Sequence, residues 1–132
     1  MADVEISEEQ YAADYAKKQT TVKSLLKSGD KKGALEAALR KAPLGSKSVE
    51  VKDGTADLVG MVLKEVGESE VNGLIAPLDM DLCDVLMKYV YKVMGMVDKG
   101  TNYGVCLKLH ALLTEKAGMG SIIRAVTDRR TV

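Results

Sequence analysis

The stretch Leu78-Asp-Met-Asp-Leu-Cys-Asp-Val-Leu-Met-Lys-Tyr-Val-Tyr-Lys-Val-Met94 decides the fold class. Leu82, Val85, Leu86, Tyr89, Val90 and Val93 recur at three- and four-residue intervals, which gathers them on one broad face of an α-helix; a half-buried strand would alternate instead. Asp79 or Asp81 stands where a carboxylate can accept from first-turn amides, so the helix starts there. Met87, Tyr91 and Met94 widen the apolar surface until only a narrow strip is left for water. That predicts a helix at the centre of the fold or against a partner.

Toward the C-terminus, Gly95 to Asn102 reads as a loop, and Tyr103 to Lys116 as a helix with Val105, Leu109, Leu112 and Leu113 inward. Gly118-Met-Gly120 interrupts the pattern, and Ser121 is placed to cap a short last helix in which Ile122, Ile123 and Val126 dock. Arg124, Arg129 and Arg130 give this end a basic character that Asp128 offsets.

Toward the N-terminus, Ser69 to Ala76 is a short helical piece ahead of Pro77, with Ser69 as its cap. Before it, Ser46 or Ser48 starts a helix in which Val51, Thr55, Leu58, Val59, Val62, Leu63 and Val66 form a stripe, with Gly54 and Gly60 marking close contacts or a break. Two shorter helices precede that one, Tyr15 to Ser28 with Val22, Leu25 and Leu26, and Lys31 to about Ala42 with Ala34, Leu35, Ala38 and Leu39. Gly29 stops the first and Asp30 caps the second, an αα-hairpin of the kind that stacked helical repeats use.

Residues 1–14 hold Asp3, Glu5, Glu8, Glu9 and Asp14 without a Lys or Arg, and then Lys17, Lys18 and Lys23 reverse the sign. With Val4, Ile6 and Tyr11 as their only large apolar groups after Met1, these residues are expected to form an extended or weakly helical arm, with Ile6, Tyr11 and Tyr15 as anchors for a partner. The expectation is an all-α, compact, partly solenoid-like bundle over residues 15–132 with an N-terminal extended arm over residues 1–14.

Composition agrees with helix packing: 46% of residues are hydrophobic, yet there are five Tyr and no Phe or Trp. At 132 residues the chain has room for one core without staples. Nineteen Lys plus Arg balance nineteen Asp plus Glu, so no overall field gathers phosphate backbones, and nucleic acid is not an expected partner. No apolar run approaches the roughly 20 residues that span a bilayer, and the acidic opening lacks the basic-then-apolar order of a secretory leader. A cytoplasmic protein with Cys83 and Cys106 as free thiols is expected, with no membrane insertion.

Catalytic constellations are poorly supported. Cys106 and His110, four residues apart, share a helix, but nothing around them supplies an anion hole or a groove. Asp79, Asp81 and Asp84 lack the glycine-centred spacing of a calcium loop, and Gly29-Asp-Lys-Lys-Gly33 follows no strand and lacks phosphate-loop spacing. No metal or other cofactor is expected. Helix faces and the arm leave protein binding as the leading class, either within an assembly or as a free helical adaptor that takes a peptide.

Four segments carry a resemblance to a known family: Gly33-Ala-Leu-Glu-Ala-Ala-Leu39 followed by Pro43, Val51-Lys-Asp53, Leu86-Met-Lys-Tyr-Val-Tyr-Lys92, and Gly120-Ser-Ile-Ile-Arg-Ala-Val-Thr-Asp-Arg-Arg-Thr-Val132. Over roughly residues 20–132 the chain resembles the 16 kDa subunit, subunit five, of the actin-related protein 2/3 complex. The resemblance implies an all-helical, non-enzymatic subunit of the assembly that nucleates branched actin filaments at the actin cytoskeleton. It implies a hetero-oligomer with two actin-related proteins and further subunits, the propeller and 20 kDa subunits among them, that meets the actin filament through the assembly. ATP would sit in the actin-related subunits, not here. The arm would reach actin-related protein 2 through Val4, Ile6, Tyr11 and Tyr15, although it is shorter than is usual in the family. Tyr91 on the central helix, with Ile122, Ile123, Arg124, Val126, Arg129 and Arg130 near the end, completes the expected partner-binding set, and His110 is implied to be structural.

Overall fold

The computed structural model of the chain describes residues 7–40, 46–95, 103–127 and 132. Among them are seven α-helices and no strand: α1 Glu8–Lys27, α2 Lys31–Leu39, α3 Val49–Lys64, α4 Val71–Ile75, α5 Met80–Gly95, α6 Tyr103–Ala117 and α7 Met119–Thr127, with a 3-10 turn at Glu68–Glu70. The all-α expectation holds.

α1 and α2 are joined as the sequence predicts. Gly29 takes φ 84°, the left-handed conformation that a side chain disfavours, and turns the chain so that its own amide and that of Asp30 return to the carbonyls of Leu26 and Leu25 at 3.1 and 2.9 Å. Asp30 then caps α2, its Oδ1 accepting from the Gly33 amide at 2.9 Å. One pair of residues thus satisfies both helix ends. α2 stops at Leu39, where Arg40 turns extended, earlier than the expected end near Ala42, which lies outside the described residues.

The start of α1 differs more. Ser7 Oγ accepts from the Gln10 amide at 3.1 Å, and Glu8 and Glu9 sit at the positive end of the helix dipole, so the helix begins at Glu8 and takes in half of the expected extended arm. Tyr15, the expected start, lies nearly two turns inside. The remainder of the arm, with Val4 and Ile6, lies outside the described residues.

α3 buries the predicted stripe, Val51, Thr55, Leu58, Val59, Val62 and Leu63, with Val66 just beyond it. The buried Thr55 hydroxyl donates to the Val51 carbonyl at 2.8 Å, and Ser48 is the cap, with Oγ 3.4 Å from the Val51 amide. Ser69 does not cap the next piece; at the 3-10 turn ahead of α4 the Glu70 carboxylate reaches back to accept from the Gly67 amide at 3.1 Å. At α5 the cap is Asp79, whose Oδ1 accepts from the Leu82 amide at 2.8 Å. α7 begins two residues before Ser121, at Met119.

Helices α1, α2 and α3 pack on one another, and so do α5, α6 and α7. The two groups meet chiefly where α3 crosses α5 and where α2 reaches α4 and α5, α4 also packs against α6, and one apolar core runs through both groups. Tyr89, Leu86 and Met87 of α5 are fully buried at its centre, which answers the question of whether this face is core or interface. Lys116 at the end of α6 donates to the carbonyls of Ile75 and Leu78 at 2.8 and 2.7 Å, satisfying orphan acceptors where α4 ends.

Candidate partner-binding surface

Ile122 and Ala125 of α7 are half-buried against the core, while Met119, Ile123 and Val126 are 66, 56 and 62% exposed. These three stand at i, i+4 and i+7, the spacing of one helix face, so α7 is apolar on two sides and only one of them is used. Covering a side chain of this size is worth about 1.5–3 kcal/mol, which makes three of them in a row an expensive surface to leave in water. On α6, Tyr103 and Leu107 repeat the pattern at i and i+4, 46 and 59% exposed.

Arg124 fixes the orientation of α7. Its Nε and Nη2 donate to the two Asp84 carboxylate oxygens, both at 2.9 Å, tying α7 to α5 by a two-pronged contact. Those hydrogen bonds with Asp84 raise its pKa above the ordinary arginine value. Arg124 is therefore already engaged within the chain and not a free cation in a basic rim, and Arg129 and Arg130 lie outside the described residues.

Tyr91 is also turned inward to a neighbour. Its hydroxyl lies 2.8 Å from His110 Nε2, and the two rings meet edge to face with centroids 5.5 Å apart. The contact bridges α5 and α6, which gives His110 the structural place expected of it. Cys106 and Cys83 are free and fully buried, and burial pushes both thiols up, away from the thiolate a nucleophile requires. No group of three or more potential ligands that could hold a metal occurs among the described residues. None of the described helices is long and apolar enough to cross a membrane.

At the other end of the molecule, Tyr15 packs its ring against α3. A Cβ on Gly54 would fall 2.5 Å from the Tyr15 ring and hydroxyl, so glycine is what admits this approach. Tyr11 is half-buried on the same helix. Glu8 reaches the segment that leads into α3: its Oε2 accepts from Ser46 Oγ at 2.7 Å and its Oε1 from the Lys47 amide at 2.8 Å. These bonds hold the Glu8 carboxyl below its ordinary range.

The expected set therefore separates. Ile123 and Val126 stand together on an outward apolar face with Met119, whereas Ile122, Arg124, Tyr91 and Tyr15 make contacts within the body. Residues 2–132 match the family described as the ARP2/3 complex 16 kDa subunit, p16-Arc. The chain belongs to the p16-Arc family. It is 32% identical over 126 residues to actin-related protein 2/3 complex subunit 5 of Dictyostelium discoideum, covering 96% of this chain and 89% of that one. It is 36% identical over 121 residues to the human subunit 5-like protein, covering 92 and 78%, and 34% identical over 111 residues to subunit 5A of Arabidopsis thaliana, covering 84 and 82%. The family match, over residues 2–132, spans the helical body, including α5 and α7.

Sequence reasoning missed Met119, Tyr103 and Leu107. The signal for Met119 was present in its spacing to Ile123 and Val126. It was masked by the glycines on either side, which read as a break.

Proposed function

We propose that this chain is a non-catalytic structural subunit of the actin-related protein 2/3 complex, working in the cytoplasm at the actin cytoskeleton, where the assembly nucleates branched filaments. The observation that carries the reading is the outward face of α7, three large apolar side chains left in water, in a member of the p16-Arc family. A subunit of an assembly keeps such a face because a neighbour covers it.

In this reading the helical body docks by Met119, Ile123 and Val126, with Tyr103 and Leu107 as a second strip, onto the propeller and 20 kDa subunits. The N-terminal end, through Val4, Ile6 and Tyr11, reaches actin-related protein 2 and keeps it attached while the assembly changes shape. The chain supplies binding energy and geometry; the chemistry of nucleation belongs to the partners.

The experiment is reconstitution of the complex with and without this chain, followed by stoichiometric mass spectrometry and a branching assay. Loss of actin-related protein 2 occupancy and of branching in its absence is the expected result. Full occupancy and an unchanged branching rate would overturn the structural role.

A further inference from the structure

α7 has two apolar sides and turns the smaller of them to the core. Ile122 and Ala125 are half-buried where α7 packs on α5 and α6, and none of the described side chains of this helix is fully buried. Met119, Ile123 and Val126 carry more carbon and stay exposed. Apolar transfer by itself favours the opposite choice, since its stabilisation grows with the area removed from water. The joint to α6 does not decide the matter: it is Gly118, at φ 79°, and a glycine takes either sign of φ. What distinguishes the two orientations is Arg124. Its Nε and Nη2 donate to the Asp84 carboxylate at 2.9 Å each, and the guanidinium lies over Gly120, one turn back, where a Cβ would fall 3.0 Å from Nη1. Two-pronged pairs of this geometry are the ones among surface ion pairs that hold an element in place. Successive residues of an α-helix are about 100° apart, so a rotation of that size would bring Ile123 to the place of Ile122 and Val126 to that of Ala125. Ala125 would then face Asp84, and Arg124 would point where Ile123 now does, into water.

We propose that Arg124, through Asp84, is a positioning residue for the docking face: the pair fixes the rotation of α7 about its own axis and so keeps Met119, Ile123 and Val126 turned outward for a neighbouring subunit. This rests on the docking role given above. Without the pair the helix turns its larger face inward and offers Ile122 and Ala125 instead, with Arg124 standing where Ile123 would have docked. The chain is folded and helical in either orientation, but only one of them exposes the face that a neighbour needs. Affinity for the complex then falls in proportion to the fraction of chains turned outward.

The test uses the full chain as wild type, Arg124→Gln, Asp84→Ala, the two combined, and Arg124→Lys. Hydroxyl-radical footprinting read by mass spectrometry follows oxidation of Met119, Ile122, Ile123 and Val126, with the exposed Met61 of α3 as reference. In Arg124→Gln and Asp84→Ala protection is expected to change sides, with about threefold less oxidation at Met119, Ile123 and Val126 and about threefold more at Ile122. The double variant should match either single one, because each residue acts through the other, and Arg124→Lys, which keeps the charge and one prong, should fall between. Competition with wild-type chain during reconstitution of the complex should show incorporation weakened about three- to tenfold, in the same order of variants. An unchanged footprint would overturn the proposal. So would a rise in oxidation along the whole of α7, which would mean that the pair only keeps the helix from fraying, and so would additive losses in the double variant. A turned face with normal incorporation would overturn it as well. The variant carrying both Ile123→Lys and Val126→Lys then judges the docking role separately: impaired incorporation leaves that role standing, and normal incorporation ends it.

Discussion

The start of α1 and the whole of α7 are both short lengths of helix at the margin of the body, and they are held in opposite ways. α7 lays Ile122 and Ala125 on the core, adds the Arg124 contact to Asp84, and still leaves Met119, Ile123 and Val126 in water. The first turns of α1 present mostly charged and small side chains and depend on the bonds Glu8 makes with Ser46 and Lys47. Apolar surface in excess of what the fold needs belongs to a site that is to be covered. The start of α1 is a wet helix end held by a polar clasp.

The contrast breaks most plainly at α7. Replacing Ile123 and Val126 together by Lys should change the stability of the isolated chain by no more than about 0.5 kcal/mol per site, because both side chains are exposed and cations suit the last turn of a helix. Incorporation into the complex should weaken by at least about 2 kcal/mol, roughly 30-fold. Thermal melts of the free chain and competition with wild-type chain during reconstitution measure the two quantities separately. Normal incorporation would show that this face is not the docking surface.

At α1 the second point of attachment is sharpened by Gly54. Alanine there places a Cβ 2.5 Å from the Tyr15 ring, and such overpacking costs about 1–3 kcal/mol, partly offset by the roughly 1 kcal/mol that Gly→Ala contributes within a helix. A net loss of up to about 2 kcal/mol is expected in denaturant unfolding. With Tyr15→Ala already in place the same substitution should become stabilising, since the clash has gone and the propensity gain remains. Additive losses in the double variant would mean that Tyr15 and Gly54 do not meet in solution.

Much of this was legible along the chain, and several of the failures share one physical cause. The stripe from Val51 to Val66, the Gly29–Asp30 junction and the Asp79 cap are local: spacing, φ preference and capping chemistry act within a turn or two. The start of α1 carried a local signal in Ser7 ahead of Glu8 and Glu9, but the hold of Glu8 on Ser46 and Lys47 was not legible, because they lie 38 and 39 residues away. Nor was the inner side of α7. Ile122 and Ile123 are neighbours about a quarter-turn apart, and periodicity gives both faces nearly equal claim until Asp84, 40 residues earlier, takes Arg124. The Tyr91 contact was equally out of reach: an aromatic ring on a broad apolar helix reads as an anchor for a partner, and its neighbour His110 stands on the facing helix, 19 residues on.

A smaller effect tests the core that both regions lean on. The Tyr89 hydroxyl is fully buried and has no hydrogen-bond partner among the described residues, and its burial pushes the phenol pKa well up. An unsatisfied buried hydroxyl costs about 1–3 kcal/mol of desolvation, so Tyr89→Phe should leave the chain as stable or about 1 kcal/mol more so. Loss of more than about 1 kcal/mol in chemical denaturation would show that the hydroxyl is in fact satisfied, by a buried water for instance.

The smallest effect returns to Glu8, by way of pH. Its carboxyl titrates below the ordinary value of 4.5, first through the Lys47 amide, then through the Ser46 hydroxyl, with the Lys47 charge adding to them. A carboxyl whose pKa is lowered on folding contributes stability that is present above its unfolded value, and that contribution is lost as pH falls from about 4.5 toward the lower folded value. Protonation should therefore release the start of α1 while α7, held by Ile122 and Ala125 packed on the core, stays in place. Hydrogen exchange supplies the comparison: between pH 5.5 and 3.5, after correction for intrinsic rates, protection of the Lys47 amide and of the first turn beyond Ser7 should fall in the wild-type chain. In Glu8→Gln the same amides should already be less protected at pH 5.5 and change little. Parallel loss of protection in α7 would mean that acid loosens the whole body. Only a loss confined to the start of α1 would mean that the Glu8 bonds hold that end independently of the core.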